Sequence, residues 1–200
     1  MNKKWIILII VAIAIIWIYS SVKGTFNTMV EKEQEVKTTW ATVETQYQRR
    51  YDLIPNLVNT VKGFAEQEKE VLIGVTEARA KATSMNIDAS NLTADNLQQF
   101  QAAQGQVSSA LSRLLVTIEK YPELKSNNNF LELQAQLEGT ENRIQVARDR
   151  FNQAAKDYNT YIEKFPARIY ANLFGFKEKP QFQSEQGAEK APDVGEILNN

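Results

Sequence analysis

An all-α fold is predicted, with an N-terminal transmembrane helix followed by an antiparallel bundle of long helices. Two observations predict it. The first is an uncharged apolar run at residues 5–19, WIILIIVAIAIIWIY. The second is a strict 3-4 spacing of apolar side chains over residues 97–121, again over residues 129–171, and along an earlier segment from about Thr25 to Met85. Such a stripe lines a helical bundle or a coiled coil. With the first of these three stretches kinked or broken near Pro55, the bundle has four predicted helical segments.

The apolar run is long enough to cross a bilayer. Extended to residue 22 it would span roughly 27 Å as a helix, close to the thickness of the hydrocarbon layer. Aromatic side chains mark its two ends, as in an aromatic belt, at Trp5, Trp17 and Tyr19. We therefore expect residues 1–24 to form a membrane anchor that contacts lipid through residues 5–22.

A cleaved signal peptide is the alternative reading of the amino terminus, because Lys3 and Lys4 resemble a charged n-region. The length of the apolar run and the lack of a clear A-x-A site favour an uncleaved, single-pass anchor. The side of the membrane on which the bundle lies stays open, since lysines flank both ends of the run in nearly equal number, at Lys3 and Lys4 before it and at Lys23, Lys32 and Lys37 after it.

The first bundle segment contains Pro55 within an unbroken apolar register. A tight hairpin at Pro55 would reset the register, whereas a kink or short break would preserve it at the loss of one backbone hydrogen bond. The residues just before Pro55 include no turn former, which favours one helical arm that is kinked or broken near Pro55.

The later segments have short connections and recognisable caps. Thr93 or Asp95 is the candidate N-cap of the helix over 97–121, and an asparagine precedes Phe130. Pro166 is expected to kink the last turn or to start a short final helix. The bundle domain is predicted at residues 25–182. The acidic residues 183–200 lack core-forming side chains and are predicted to be disordered.

Composition excludes several classes of function. The net charge is −1, with 23 basic and 24 acidic residues mixed along the chain, and there is no cysteine or histidine. A nucleic-acid partner would need a basic face, and thiol, imidazole and Cys/His zinc chemistry is absent. Di-metal sites in bundles use Glu-x-x-His motifs. We expect no nucleic acid, no metal, no cofactor and no enzymatic activity.

Two features near Pro55 carry hypotheses. The apolar stripe of each helix is called its seam, and Arg50 occupies a seam position in the first segment. It therefore either forms a buried ion pair with Glu138, Glu141 or Asp157 on another helix, or extends to the rim of the bundle. Pro55 offers no N–H to the carbonyl of Tyr51. Arg49, Arg50 and Asp52 lie where that carbonyl needs a donor.

Aromatic side chains also occupy seam positions, and core packing is the expected role for Trp40, Tyr47, Tyr158, Tyr161 and Phe165. A ligand pocket or a partner surface is the alternative role.

The chain resembles the LemA protein family over nearly its whole length to Phe182. The resemblance rests on ordered blocks that follow the anchor: FNTMVEKEQEVKTTW (26–40), QRRYDLIPNLVNTVKGFAEQEKEVL (48–72), TEAR (76–79) and YPELKSNNNFLELQAQLEGTENRIQVARDRFNQAAKDYNTYIEKFPARIYANLFGFKEKPQF (121–182). One departure is Phe26, where the family more usually has tyrosine. The family's signature positions fall here on Arg49, Arg50, Asp52, Leu53, Pro55, Asn56, Leu57, Val58, Arg143, Ala147, Arg148, Tyr158, Asn159, Phe165 and Pro166.

The resemblance implies a single-pass protein of the cell membrane whose helical bundle faces the cytoplasm, and it supplies no catalytic residue. The leading hypothesis is a non-enzymatic scaffold or adaptor that presents its bundle to protein partners or self-associates. One alternative is a membrane-shaping or lipid-contacting protein whose residues 23–50 lie on the bilayer. A ligand-binding bundle is the other. The structural or interaction candidates are Arg49, Arg50, Asp52, Pro55, Asn56, Arg148, Tyr158 and Asn159.

Overall fold

The computed structural model describes residues 3–65, 67–85 and 87–183, and the regular elements among them are all helical. They are α1 (Lys3–Lys62), α2 (Lys69–Thr83), a 3₁₀ turn (Ala89–Asn91), α3 (Ala94–Ile118), α4 (Pro122–Lys125), α5 (Asn128–Glu163) and α6 (Ala167–Phe174). The all-α prediction is confirmed. The predicted tail at 183–200 lies outside the described residues except for Gln183.

α1 is a single helix of 60 residues, about 90 Å long at ~1.5 Å per residue. Near its amino terminus an 18-residue stretch has the length and composition to cross a membrane, and none of it is buried in the protein. From Met29 onward one face is buried, with the spacing that the sequence predicts, at Val36, Trp40, Val43, Tyr47, Arg50, Ile54, Leu57 and Val61. Because α1 passes residue 24 without a break, the division between anchor and bundle domain stays a prediction.

The break in the first arm does not occur at Pro55. α1 remains helical through Pro55, and the chain turns between Lys62 and Lys69, where the N–H groups of Phe64 and Ala65 bond the Val61 carbonyl at 3.0 and 2.9 Å. α2 then returns along α1 and packs on α3. The prediction of one arm extending to Met85 is therefore wrong. The apolar spacing continued across the turn because both helices of the hairpin direct their stripes into one core.

α3 and α5 complete the four-segment bundle. Thr93 caps α3 in a capping box with Asn96, and Asn127 accepts the N–H groups of Asn129 and Phe130 at the start of α5. α5 packs along α1, while α2 packs along α3. The two predicted N-cap features are therefore found, with Thr93 rather than Asp95 in the first role.

Pro166 separates α5 from α6, so it starts a short final helix rather than bending a continuous one. Phe165 lies in this break and is 84% exposed. Its predicted core position is wrong, because α5 ends at Glu163 and the 3-4 register no longer determines where Phe165 points.

From Met29 onward, the start of the bundle arm contributes side chains to the core. Met29, Val36 and Trp40 are buried, and the ring of Trp40 lies 5.4 Å from those of Phe100 and Phe151. The apolar face of residues 23–50 is thus occupied by protein. The aromatic seam around Trp40 is packed ring against ring, as expected for a core.

Candidate functional site

Arg50 projects from α1 into the space between α3 and α5. One guanidinium nitrogen, Nη1, donates to Glu141 Oε2 at 3.0 Å and to Ser108 Oγ at 3.2 Å, and Nη2 donates to Gln104 Oε1 at 2.6 Å. Arg50 is 2% exposed, whereas Glu141 is 57% exposed. Of the two predicted alternatives the buried pair is the one observed, with the carboxylate at the open end.

The polar cluster of Arg50 continues inward to two tyrosines. Gln104 donates through Nε2 to the hydroxyl of Tyr51, and the guanidinium carbon of Arg50 lies 5.1 Å from the ring centre of Tyr47. Burial raises the pKa of Tyr47 to about 12, although nearby Arg148 and Arg50 oppose the shift. Burial likewise raises the pKa of Tyr51. These hydrogen bonds link α1, α3 and α5 and set how the three helices align, while Arg50 Nε is buried without a hydrogen-bond partner among the described residues.

The carbonyl that Pro55 leaves free is satisfied from α2. Arg79 donates through Nε to the Tyr51 oxygen at 2.8 Å. The predicted donors do not serve this role, because Arg49 and Asp52 are exposed and Arg50 points into the core. Asp52 instead accepts a hydrogen bond from Gln48, one turn earlier, at 2.8 Å. A proline in α1 and an arginine in α2 therefore form one structural unit.

An extended segment after α6, residues 179–183, binds along α5 through two asparagines. Asn159 donates to the Lys179 carbonyl and accepts its N–H, both at 2.8 Å. Asn152 does the same for Phe182, at 3.1 and 2.8 Å. We call residues 179–183 the strap and this pair the amide clamp.

The spacing of the amide clamp matches the strap. Seven residues of helix rise about 10.5 Å, and three residues of extended chain cover about 10 Å. The two side-chain amides therefore meet two peptide groups of the strap in register, with the strap antiparallel to α5. Both amides bond main-chain atoms alone, so the clamp recognises an extended backbone.

The Phe182 side chain of the strap packs among aromatic side chains of the bundle. The ring of Phe182 stacks on Trp40 at 5.9 Å and meets Phe151 edge-on at 5.5 Å. The guanidinium of Arg148 lies 4.7 Å from the centre of the Phe182 ring and donates to the Gln183 carbonyl at 3.3 Å. The aromatic core of the bundle thus includes one residue from the strap.

Lys179 is buried and its ammonium group binds Glu33 Oε1 on α1 at 2.8 Å. It also lies 5.9 Å from the ring centre of Tyr158. Burial, and to a smaller extent Glu33, raise the pKa of Tyr158. The strap therefore joins α1 to α5 at both of its ends, by an ion pair at Lys179 and by ring packing at Phe182.

The described residues include no group of three or more acidic side chains placed to hold a metal ion. The clefts between helices lie at the surface. One cleft of about 740 Å³ lies between α2 and α3, away from the aromatic side chains around Trp40. Its lining includes Glu70, Gly74, Gly105, Ser109 and Arg113.

A model of the LemA family matches residues 39–195 of the 200. The chain belongs to the LemA family. Among LemA-related proteins, magnetosome protein MamQ 2 of Paramagnetospirillum magneticum is 24% identical over 198 residues, covering 90% of this chain and 72% of the relative. Protein LemA of Metamycoplasma hominis is 20% identical over 176 residues, covering 88% and 77%. Neither name states an enzymatic activity.

Five of the eight structural or interaction candidates fall into two groups in the structure. Arg148, Tyr158 and Asn159 meet at the strap, and Arg50 and Pro55 belong to the interior contacts of α1. The remaining candidates Arg49, Asp52 and Asn56 are exposed and join neither group.

Sequence reasoning missed Asn152, Arg79, Lys179 and Phe182 as partners in these contacts. All four lie within the blocks that carry the resemblance, at 76–79 and 121–182. That position was the only available signal, because no side-chain periodicity indicates which distant main chain an amide will bind.

Proposed function

We propose that this LemA-family protein is a membrane-anchored, non-enzymatic scaffold whose bundle self-associates at the membrane. The apolar start of α1 supports the anchor, and its continuation into the core of the bundle supports a fixed connection between the two. The resemblance to the LemA family suggests that the bundle faces the cytoplasm.

The observation that carries this proposal is the strap in its clamp. A bundle that holds an extended segment by main-chain hydrogen bonds has a built groove for peptide recognition. The segment known to fit the groove is the strap itself, with an aromatic ring three residues after a lysine. A second copy carries an identical segment, and exchange of straps between copies would create a dimer without any new contact.

The energetics permit release of the strap. The four amide hydrogen bonds contribute about 1 kcal/mol each, and burial of the Phe182 ring adds roughly 2–3 kcal/mol. Ordering the five residues of the strap costs about 5–10 kcal/mol. The terms are of similar size, so release of the strap is within thermal reach, and a second copy at high local concentration in a membrane can compete for the groove.

The absence of cysteine makes exchange directly testable. Gln101 Nε2 lies 3.1 Å from the Gln183 carbonyl, so Gln101→Cys in one full-length copy and Gln183→Cys in a differently tagged copy would meet only after exchange. Co-expression in membranes followed by mild oxidation is expected to give a disulfide-linked dimer carrying both tags. The matched control carries both substitutions in one chain and reports the internal contact.

Absence of the mixed dimer, with an efficient internal crosslink in the control, would contradict self-association by exchange. A crosslink from Gln101→Cys to an unrelated protein that displaces the strap would redirect the proposal to a foreign extended peptide. Protease access to a C-terminal tag in sealed vesicles checks the side of the membrane.

A further inference from the structure

α6 has two chemically different faces. Ala167 and Ala171, one turn apart, are buried against the bundle. Phe174 packs edge-on against Phe26 of α1 with ring centres 5.0 Å apart. The short helix is therefore docked on α1, just beyond the apolar run.

The opposite face of α6 exposes apolar side chains, as does Phe165 just before the helix. Phe165, Ile169 and Leu173 follow one another at intervals of four residues, and Leu173 is 73% exposed. We call these three residues the α6 strip. Single exposed apolar residues are ordinary, whereas a strip of three large ones marks a contact surface.

The position of α6 along α1 indicates what that surface meets. Phe26, to which α6 is docked, lies four residues after residue 22, where the apolar run ends. Four residues of helix rise about 6 Å, and the polar headgroup layer occupies roughly 5–7 Å on each side of the hydrocarbon. With α1 across a bilayer, α6 lies at the depth of the lipid headgroups.

Charges around the α6 strip suit an interfacial helix. Lys164, Arg168 and Lys177 are exposed beside it, with the acids Glu163 and Glu178 in the same region. Amphipathic helices that lie in a membrane interface combine an apolar face with flanking cations, which approach lipid phosphates.

We propose that α6 is a second membrane contact, lying on the bilayer surface with the α6 strip inserted among the lipid headgroups. The proposal rests on the proposed anchoring of α1 in the membrane and adds a surface contact to it. It assigns lipid contact to a segment far along the chain from residues 23–50, whose apolar face is in the core.

Because the chain has no cysteine, single nitroxide labels can report depth in the full-length protein. The labelled sites are Leu173→Cys in the α6 strip, Val116→Cys near the far end of α3, and Ile13→Cys within the apolar run. Val116 is 66% exposed, which makes it a matched apolar control. The protein is placed in vesicles of phosphatidylcholine and phosphatidylglycerol, and collisions with oxygen and with a water-soluble nickel chelate are measured.

The label at 173 is expected to have a several-fold higher ratio of oxygen to nickel collisions than the label at 116, with the label at 13 highest. Equal ratios at 173 and 116, with a high ratio at 13, overturn the α6 contact and leave the anchor standing. A low ratio at 13 overturns the anchor and the α6 contact together. Shielding of 173 from both reagents overturns lipid contact in favour of a protein cover.

A charge within the strip provides the second measurement. Ile169→Glu is expected to bring the ratio at the 173 label down to that of the 116 label, because a carboxylate at the strip opposes insertion. Val146→Glu, at an exposed apolar site on α5, is the matched control and should leave the ratio unchanged. An unchanged ratio in both variants contradicts the proposal.

Discussion

The pairing of Pro55 with Arg79 predicts a strong energetic coupling between two residues on different helices. Arg79 donates to the Tyr51 carbonyl at 2.8 Å, which is the carbonyl that the missing N–H of Pro55 leaves free. Replacing Arg79 by methionine keeps much of the side-chain volume but removes the donor. A charged hydrogen bond of this kind is worth about 1.5–3 kcal/mol, so Arg79→Met should lower the free energy of unfolding by that amount.

The same substitution should be nearly silent in a Pro55→Ala background. Alanine restores the N–H at position 55, which can pair with the Tyr51 carbonyl inside α1 and make Arg79 redundant. The double-mutant cycle is therefore expected to give a coupling free energy of about 1–2 kcal/mol. Arg113→Met, at an exposed arginine on α3, is the matched control and should change stability by less than ~0.5 kcal/mol.

The measurement is denaturant unfolding of the full chain in mild detergent, followed by the fluorescence of buried Trp40. Trp5 and Trp17 are changed to phenylalanine so that the signal reports the bundle alone. If Arg79→Met costs the same with proline and with alanine at position 55, the carbonyl is not the reason for the arginine, and the reasoning is refuted.

Three further predictions follow from the site. Asn152→Ala and Asn159→Ala each remove two strap hydrogen bonds, so hydrogen exchange at the strap amides should accelerate by roughly ten- to a hundredfold, at ~1 kcal/mol per bond, while the amides of α3 stay protected. Burial raises the pKa of Tyr47 from 10.0 to about 12, so the neutral ring stabilises the fold below pH 10 and this stability is lost as the pH rises towards 12. The free energy of unfolding should therefore fall less steeply with pH over that range in Tyr47→Phe than in the parent protein. An equally steep fall in both would contradict a raised pKa at Tyr47. Glu141→Gln should cost about 1–3 kcal/mol in the same unfolding assay, because it leaves the buried Arg50 guanidinium without a carboxylate partner, and a cost near zero would be inconsistent with that pairing.

Much of the core of this protein follows from hydrophobic spacing. The seam from Val36 to Val61 is buried as predicted because a helix places every third or fourth side chain on one face. The same rule does not say whether the chain continues or reverses between two turns of helix, so it could not distinguish one long arm from the α1–α2 hairpin. The break between Lys62 and Lys69 was therefore invisible to periodicity, while Pro55, the conspicuous helix breaker, was tolerated once Arg79 supplied its missing partner.

The candidate site was only partly predictable for a different reason. Arg148, Tyr158 and Asn159 were named from the family resemblance, yet their shared role depends on the strap, whose main chain binds Asn152 and Asn159. Hydrogen bonds from a side chain to a distant backbone leave no pattern of paired residues in a sequence. Arg50 was anomalous by contrast, because a charge within an apolar seam needs a partner, and Glu141 was among those anticipated.

The continuity of α1 has a mechanical consequence. With its apolar end across a bilayer, as proposed, about 40 residues or ~60 Å of the same helix stand beyond the lipid. Bilayers of different thickness change the tilt of such a span, and without a break in the helix that tilt is delivered to the whole bundle. A change of ~10° would carry the far end about 10 Å sideways over that length. A second membrane contact at α6 would resist this sideways movement, so the protein would hold its bundle at a defined angle to the membrane.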